Sequence, residues 1–246
     1  MCGRYAYLLP PEAMAELFRT LNEVVYPPRY NIAPTQPVIT IMEREGRRTA
    51  ELFRWGFVPG WVKNPREWPL LINARAQTMA EKPAFRDALR NSRCIVPASG
   101  YFEWMKGPDG ARRPYYITTA DGETMAFAGL YSTWAGPNGE EVDTVCIVTA
   151  EPNLEISGIY DRMPVILSGD AIDAWLNTRD VNADLALSFA VTAPDGTMKF
   201  HPVGRAIGKA EGEGPELIIP RTDEEIEPPK PRRKRAAAGG EQLDLF

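Results

Sequence analysis

Residues 93–105 read RCIVPASGYFEWM, a run of apolar, β-branched and aromatic side chains that predicts a β-strand. Similar runs recur along the chain, and the turn signals at 108–110, 121–122 and 137–139 contain Pro-Asp-Gly, Asp-Gly and Pro-Asn-Gly. The other predicted strands are 38–43, 51–58, 114–119, 125–134, 143–150, 164–167 and 199–203.

Helical periodicity is confined to four short segments, 11–21, 80–90, 170–176 and 183–189. Because the strands follow one another as hairpins, without a regular alternation with helices, the chain is predicted to be α+β. We expect a mainly antiparallel β-sheet core, closed toward a barrel, with peripheral helices. The order of the strands does not follow from local patterns.

The composition divides the 246 residues into two regions. Up to about residue 222 the chain is rich in core-forming side chains, and its length allows one main domain with a proper core. Residues 223–246 are charged and rich in proline and glycine, which predicts a disordered basic tail.

Cysteine usage and charge restrict the class of protein. Cys94 and Cys146 lie in apolar runs and are predicted to be buried free thiols, and an odd cysteine count without metal-ligand spacing fits a reducing cytoplasm. We expect a soluble monomer without metal, cofactor or membrane association, because the chain has no signal peptide and no membrane-spanning apolar run. Its net charge of −5 argues against nonspecific binding to polyanions, so a nucleic-acid site would need a local basic cleft.

The N-terminus carries unusual chemistry. Cys2 is small enough for the initiator methionine to be trimmed, which would leave an α-amine and a thiol on one residue. An α-amine, with a pKa near about 8, can condense with an aldehyde at neutral pH. The thiol can then close a five-membered thiazolidine ring. Cys2 is therefore a candidate aldehyde trap, although it can also be an ordinary second residue.

Five further residues carry polar or aromatic groups suited to catalysis or ligand binding. Asn73 and Arg75 share one side of an extended segment, as an amide and a guanidinium that suit a sugar and its phosphate, or as a loop anchor and a surface arginine. Glu103, between Phe102 and Trp104, is predicted to be partly desolvated with a raised pKa, as a proton shuttle or in a structural ion pair.

Two of these groups suit contacts to nucleic acid, each with a structural alternative. Arg162 can hold a phosphate or join a solvated charge pair with Asp161. Trp61 follows a Pro-Gly turn, where it can stack on a base or pack in the core.

Seven segments in this order resemble the SOS response-associated peptidase (SRAP) family. They are MCGR at 1–4, YNIAPT at 30–35, RWGFVPGW at 54–61, INAR at 72–75, GYFEW at 100–104, DRMP at 161–164 and HPV at 201–203. The resemblance implies a protein that binds abasic sites in single-stranded DNA. It also implies a thiazolidine crosslink to the ring-opened sugar through Cys2, which shields the lesion.

The resemblance assigns roles to individual residues. It implies that Cys2 is the nucleophile, Asn73 holds the opened sugar, and Glu103 moves protons as the imine forms. The family's histidine position is occupied by Tyr160, whose hydroxyl mainly donates a hydrogen bond, so we predict a crosslink that forms but reverses slowly. The implied DNA-binding residues are Arg4, Asn31, Pro34, Trp61, Arg75, Thr149 and Arg162.

The chain ends in Gln242, Leu243, Asp244, Leu245 and Phe246, which resemble the bacterial sliding-clamp binding motif. Apolar anchors on a polar tether favour docking to a partner, although the tail can also pack on its own domain. The basic run 230–235 would add attraction to DNA, and these features predict a place at the replication fork near the nucleoid. The alternative function is a cysteine peptidase, autoproteolytic or acting in trans, for which His201 is the only histidine.

Overall fold

A computed structural model of the chain describes residues 2–210, 212–222 and 225–226. The predicted tail from 227 onward, with its motif at 242–246, lies outside these residues. Ile226 is buried, and the Glu225 side chain accepts a hydrogen bond from the backbone N–H of Thr222 at 2.8 Å. In these ranges no helix has both the length and the apolar character that crossing a membrane requires.

Strands make up most of the regular structure in these ranges. They are β1 (Tyr5–Tyr7), β2 (Arg29–Ile32), β3 (Pro37–Arg44), β4 (Arg47–Trp55), β5 (Asn73–Arg75), β6 (Arg93–Ala98), β7 (Gly100–Lys106), β8 (Arg112–Thr119), β9 (Met125–Ala135), β10 (Glu141–Ala150), β11 (Met163–Pro164), β12 (Ile166–Leu167) and β13 (Met198–Pro202). The helices are α1 (Pro11–Phe18), α2 (Arg86–Asn91), α3 (Leu154–Ser157), α4 (Asp170–Leu176) and α5 (Ala183–Phe189), with 3₁₀ turns at Arg205–Gly208 and Pro215–Ile218. The α+β prediction is confirmed.

Five strands close into a mixed barrel in the order β10-β4-β3-β6-β9, with β9 pairing back onto β10. All of these pairings are antiparallel except that of β4 with β10, which are parallel and align Trp55 with Val145. The short β5 continues the parallel arrangement along β10, with Asn73 opposite Ile147 and Arg75 opposite Thr149. The predicted barrel-like core is therefore confirmed, and the parallel edge carries Asn73 and Arg75.

A second sheet of five strands packs against this barrel, in the order β13-β8-β7-β1-β2. Its barrel side includes Tyr5 and Tyr101, whose rings lie 6.1 and 6.0 Å from that of Phe127 on β9. Its other face includes Phe102 and Tyr116 in a smaller cluster with the segment that follows β13. The strand β1, next to the N-terminus, is therefore enclosed on both edges and pinned between two layers.

The prediction of a single strand over 93–105 is wrong, because the chain changes sheets at Ser99. The Ser99 backbone N–H donates to the Ala6 carbonyl at 2.8 Å, and its hydroxyl accepts from Leu8 N–H at 2.9 Å. At Gly100 an added Cβ would lie 2.4 Å from the Tyr116 ring. The break therefore places β6 in the barrel and β7, with Glu103, in the second sheet.

Arg93 fixes the helices that pack outside the barrel. Its buried guanidinium donates to the carbonyls of Leu89 at 2.9 Å, Trp175 at 2.6 Å and Asn177 at 2.8 Å, at the C-terminal ends of α2 and α4. Unpaired carbonyls at a helix end carry partial negative charge, which a buried cation satisfies. The same side chain donates to Val181 at 2.8 Å, so it also fixes the approach to α5.

Candidate functional site

Cys2 lies beside the strand pair formed by β1 and β7. Tyr5 faces Tyr101 in this antiparallel pair, and Phe102 N–H donates to the Arg4 carbonyl at 2.9 Å, so the ladder continues toward the N-terminus. The Cys2 side chain is 1% exposed, and burial raises the pKa of its thiol above the ordinary value, with the negative charge of Glu103 adding to the rise. A hydrogen bond from the Arg4 backbone N–H partly offsets it.

Glu103 lies on β7 opposite this end of the chain. It is 2% exposed, and burial raises the pKa of its carboxyl to about 7, with a further contribution from the charge of Asp161. The predicted desolvation of Glu103 is therefore confirmed. A carboxyl with this pKa exists in both protonation states near neutral pH, which suits a group that gives and takes protons.

The strand β5 presents Asn73 and Arg75 on one side, because Ala74 between them is buried against the barrel. Asn73 Nδ2 donates to the Ile147 carbonyl at 3.4 Å. Its Oδ1 is buried and has no hydrogen-bond partner among the described residues. An amide oxygen in this condition is an acceptor available to a ligand.

Arg162 reaches the same edge from the segment that precedes β11. Its guanidinium donates to Thr149 Oγ1 at 3.1 Å, to the Thr149 carbonyl at 2.6 Å and to Gln77 Oε1 at 3.0 Å. Burial lowers the pKa of Arg162, and the positive charge of Arg75 lowers it further. Two guanidinium groups that repel each other in this way form a positively charged patch that favours an anion.

Tyr160 interacts with both groups of residues described above, Cys2 with Glu103 and Arg75 with Arg162. Burial raises the pKa of its hydroxyl, and the charges of Glu103 and Asp161 raise it further, while Arg112 and Arg75 oppose the rise. The Tyr160 hydroxyl thus interacts electrostatically both with Glu103, whose charge also acts on Cys2, and with Arg75 of the positively charged patch. Cys2, Glu103, Tyr160, Arg75 and Arg162 therefore belong to one connected site.

Arg4 and Asn31 form a bonded pair next to this site. Arg4 donates to Asn31 Oδ1 at 2.6 Å and to the Ile207 carbonyl at 3.1 Å, and Asn31 Nδ2 donates to the Lys209 carbonyl at 2.7 Å. The pair anchors the segment after β13 to β1 and β2. Thr149 is also buried, as a support for Arg162, and Pro34 is half-buried beside the exposed Thr35.

Trp61 faces solvent, with 58% of its surface exposed. Its ring packs edge-to-face on Trp68 at 5.2 Å. Below them, Trp134 Nε1 donates to the Val62 carbonyl at 2.6 Å, which fixes the base of the loop. The loop thus holds an exposed aromatic ring on a supported base.

His201 lies apart from Cys2. It is on β13, where Nε2 contacts the Ile218 carbonyl at 2.9 Å and the ring packs edge-on to Tyr116 at 5.7 Å. Two strands, β8 and β7, separate β13 from β1. The chain's only histidine is therefore engaged elsewhere in the second sheet.

Sequence reasoning missed two residues of this site, Tyr101 and Arg112. Strand alternation predicts that Tyr101 lies on the same side of the strand as Glu103, and this pattern could have identified it as a site residue. Arg112 starts β8 after the turn at 108–110, opposite Lys106, and its charge reaches Tyr160. Its signal was the hairpin register, which brings the first residues of β8 back beside the end of β7.

Comparisons with known proteins match most of the chain. The protein-family model described as "SOS response associated peptidase (SRAP)" matches residues 1–210. Abasic site processing protein YoqW of Bacillus subtilis (strain 168) is 35% identical over 221 residues, which cover 89% of this chain and 99% of that protein. Abasic site processing protein YedK of Escherichia coli (strain K12) is 33% identical over 228 residues, which cover 89% of this chain and 100% of that protein.

The fold has a solved counterpart. The crystal structure of a protein from Bacteroides thetaiotaomicron matches with a TM-score of 0.82 and 25% sequence identity, over 90% of this chain and 100% of that chain. The similarity therefore includes both the barrel and the second sheet that carries Cys2 and Glu103.

Proposed function

The chain belongs to the SOS response associated peptidase (SRAP) family, and from this premise we propose that it processes abasic sites in single-stranded DNA by crosslinking to them through Cys2. The observation that carries the proposal is the placement of Cys2, at the N-terminus, beside a carboxyl group whose pKa is about 7. The names of the relatives, which are abasic site processing proteins, support the substrate.

The chemistry begins with removal of Met1, which converts the Cys2 amide nitrogen into a primary amine. This amine adds to the aldehyde carbon of the ring-opened sugar, and the carbinolamine loses one water to give an imine. The sulfur of Cys2 then bonds to the imine carbon, the thiol proton goes to the nitrogen, and a thiazolidine results. The net change is one N–C bond, one S–C bond and the loss of one water.

Glu103 serves as the proton carrier in both steps. In its protonated form it gives a proton to the departing hydroxyl of the carbinolamine, and in its ionised form it accepts the proton of the thiol. The thiol needs such a base because burial raises its pKa above the ordinary value. A pKa of about 7 keeps both forms of Glu103 populated near neutral pH.

The other site residues bind the DNA strand around the lesion. Arg75 and Arg162 hold the backbone phosphates at the positively charged patch, and Asn73 accepts a hydrogen bond from the opened sugar through its unpartnered Oδ1. Trp61 stacks on a base next to the lesion, a contact worth about 1–3 kcal/mol. Thr149 supports Arg162, and the Arg4–Asn31 pair anchors the segment after β13 next to the site. The half-buried Pro34 contacts the DNA strand in this proposal.

A denaturing gel with an abasic single-stranded oligonucleotide tests the proposal. We expect a shifted band for the wild type, whose mass equals protein plus DNA minus one water. Cys2→Ala retains the amine but lacks the sulfur, so it should give a band only when borohydride reduces the imine. Cys146→Ala, which removes a thiol buried in the barrel, should retain the stable band. Absence of a band with the Met1-free wild type contradicts the proposal.

Peptidase activity is the second candidate, and the electrostatic interaction of Glu103 with the Cys2 thiol supports an autoproteolytic form. Under this alternative the protein removes its own Met1, with Glu103 as the proton carrier. Intact mass decides between the routes. If a cellular aminopeptidase trims Met1, Glu103→Gln also begins at Cys2, whereas self-cleavage predicts that this variant retains Met1. A protease acting in trans should cleave unfolded protein substrates in a Cys2-dependent manner.

A further inference from the structure

The Tyr101 hydroxyl group is buried, and the proposed reaction described above does not use it. Tyr101 is 0% exposed, and its hydroxyl has no hydrogen-bond partner among the described residues. Its ring is well packed, 6.0 Å from that of Phe127 in an edge-to-face contact. A phenylalanine would make the same ring contact without burying an unpartnered polar atom. The hydroxyl therefore destabilises the fold, and a role in the site would explain its presence.

Strand pairing places Tyr101 next to the N-terminal segment, because it faces Tyr5 across β1 and β7. Tyr101 precedes Glu103 by two residues on β7, so both side chains are on the same side of the strand. Burial raises the pKa of the Tyr101 hydroxyl, and the charges of Cys2 and Glu103 raise it further. The hydroxyl therefore keeps its proton and remains a donor, on the strand face that also carries Glu103.

Tyr7 provides an internal comparison in the same sheet. It is on β1, 1% exposed, and its hydroxyl also lacks a partner among the described residues. Burial raises the pKa of its hydroxyl to about 12, and the additional contribution comes from Tyr26 and not from Cys2 or Glu103. Tyr7 thus shares the burial of Tyr101 but not its neighbours.

We propose that Tyr101 is a positioning residue whose hydroxyl donates a hydrogen bond to the Cys2 sulfur when the thiolate attacks the imine, an inference that rests on the proposed function. The Arg4 backbone N–H already donates to this sulfur, and a sulfur carrying negative charge accepts a second donor. The tyrosine proton stays on its oxygen throughout. The hydrogen bond lowers the free energy of the thiolate and orients it toward the imine carbon.

The test compares Tyr101→Phe with Tyr7→Phe, using the Met1-free protein and an abasic single-stranded oligonucleotide across the pH range. Both variants keep the aromatic ring and remove an unpartnered hydroxyl, so both should unfold at the wild-type temperature or above. Tyr101→Phe should shift the rising limb of the rate profile to higher pH by about one unit, which slows crosslinking about tenfold on that limb. Tyr7→Phe should superimpose on the wild type.

Three outcomes contradict this inference. A Tyr101→Phe profile identical to the wild type removes the role of the hydroxyl and leaves the proposed function intact. Equal shifts in both variants assign the effect to packing in the sheet. No crosslink by the wild type overturns the proposed function and this inference together.

Discussion

Glu103 links the stability of the protein to pH because its carboxyl is buried at the site. Its pKa rises from 4.5 to about 7 on folding, so the stabilisation is complete below about pH 4.5 and is lost as pH rises through about 7. At about 1.4 kcal/mol per pKa unit, the loss amounts to about 3 kcal/mol. Glu103→Gln should lack this loss, so its free energy of unfolding should fall less than that of the wild type between pH 5 and pH 8.

Urea denaturation of the two proteins at both pH values measures this difference. Glu123→Gln, an exposed carboxyl at the turn before β9, is the matched control and should follow the wild type. Identical pH dependence in wild type and Glu103→Gln would show that the carboxyl is ionised as easily in the folded as in the unfolded chain.

Tyr160 is predicted to set the lifetime of the proposed crosslink. Its hydroxyl has a raised pKa between carboxylates and arginines, so it holds its proton at neutral pH. A histidine in this place exchanges protons near neutral pH. Tyr160→His should therefore release DNA from a preformed crosslink faster, by about tenfold or more. The measurement follows free oligonucleotide over time after excess competitor is added, with Tyr160→Phe as the control that lacks a titrating group. Unchanged formation and reversal rates in Tyr160→His contradict the hypothesis.

At this scale the sequence predicted those features that depend on immediate neighbours. The aromatic residues on both sides of Glu103 indicated its desolvation, and the spacing of Asn73 and Arg75 indicated a shared face. The sequence did not indicate that Asn31 and Thr149 are buried supports, because their burial depends on segments far along the chain. Asn31 is covered by residues that follow β13, and Thr149 by Arg162.

Arg93 is the residue on which the outer helices depend. It holds carbonyls at the ends of α2 and α4 with a guanidinium that is 1% exposed, so its loss leaves buried acceptors unpaired. Arg93→Met should lower the free energy of unfolding by about 3 kcal/mol or more. Arg93→Lys should be nearly as harmful, because an ammonium group cannot reach several carbonyls in different directions.

The matched control is Arg86→Met, an exposed arginine on α2, which should change stability by less than about 0.5 kcal/mol. Urea midpoints for the three variants provide the comparison. A wild-type midpoint for Arg93→Met would mean that the helix ends find other donors.

Elements with strong local patterns were predicted well. The segments 170–176 and 183–189 are helices with the predicted bounds, and the glycines of the three predicted turns have positive φ. Three short strands, β1, β2 and β5, were missed because segments of three or four residues are extended only through pairing with distant partners. The break at Ser99 was missed for the same reason, since β1 supplies its hydrogen bonds.

The terminal motif at 242–246 is predicted to bind a bacterial sliding clamp. If it binds a bacterial sliding clamp, deletion of these five residues should weaken clamp binding at least about tenfold, because each buried apolar side chain contributes about 1.5–3 kcal/mol. Surface plasmon resonance with immobilised clamp measures the affinity. Alanine substitution of the basic run 232–235 should leave clamp affinity largely unchanged and reduce the salt dependence of DNA binding. Equal clamp affinity of the full-length and shortened chains contradicts the prediction.

The closure of the barrel is the part of the fold that local patterns could not provide. It depends on the parallel pairing of β4 with β10, whose residues are far apart in sequence, and on the return of β9 to β10. Hairpin signals describe neighbours along the chain, so they predicted the antiparallel pairs and missed the parallel one. This parallel edge is where β5 brings Asn73 and Arg75 to the site.

The enclosed position of β1 also dictates how the protein can be handled. An affinity tag fused ahead of Cys2 would block the amine of the proposed reaction, and one fused after Phe246 would cover the predicted clamp motif, so an inserted tag is preferable. The β3–β4 hairpin offers a place at Gly46, where φ is +72° and an added Cβ meets nothing within 4 Å. From this turn β4 runs parallel to β10, in the direction of Thr149. The nine residues of β4 span about 30 Å, which separates such an insertion from the end of β4 nearest the site.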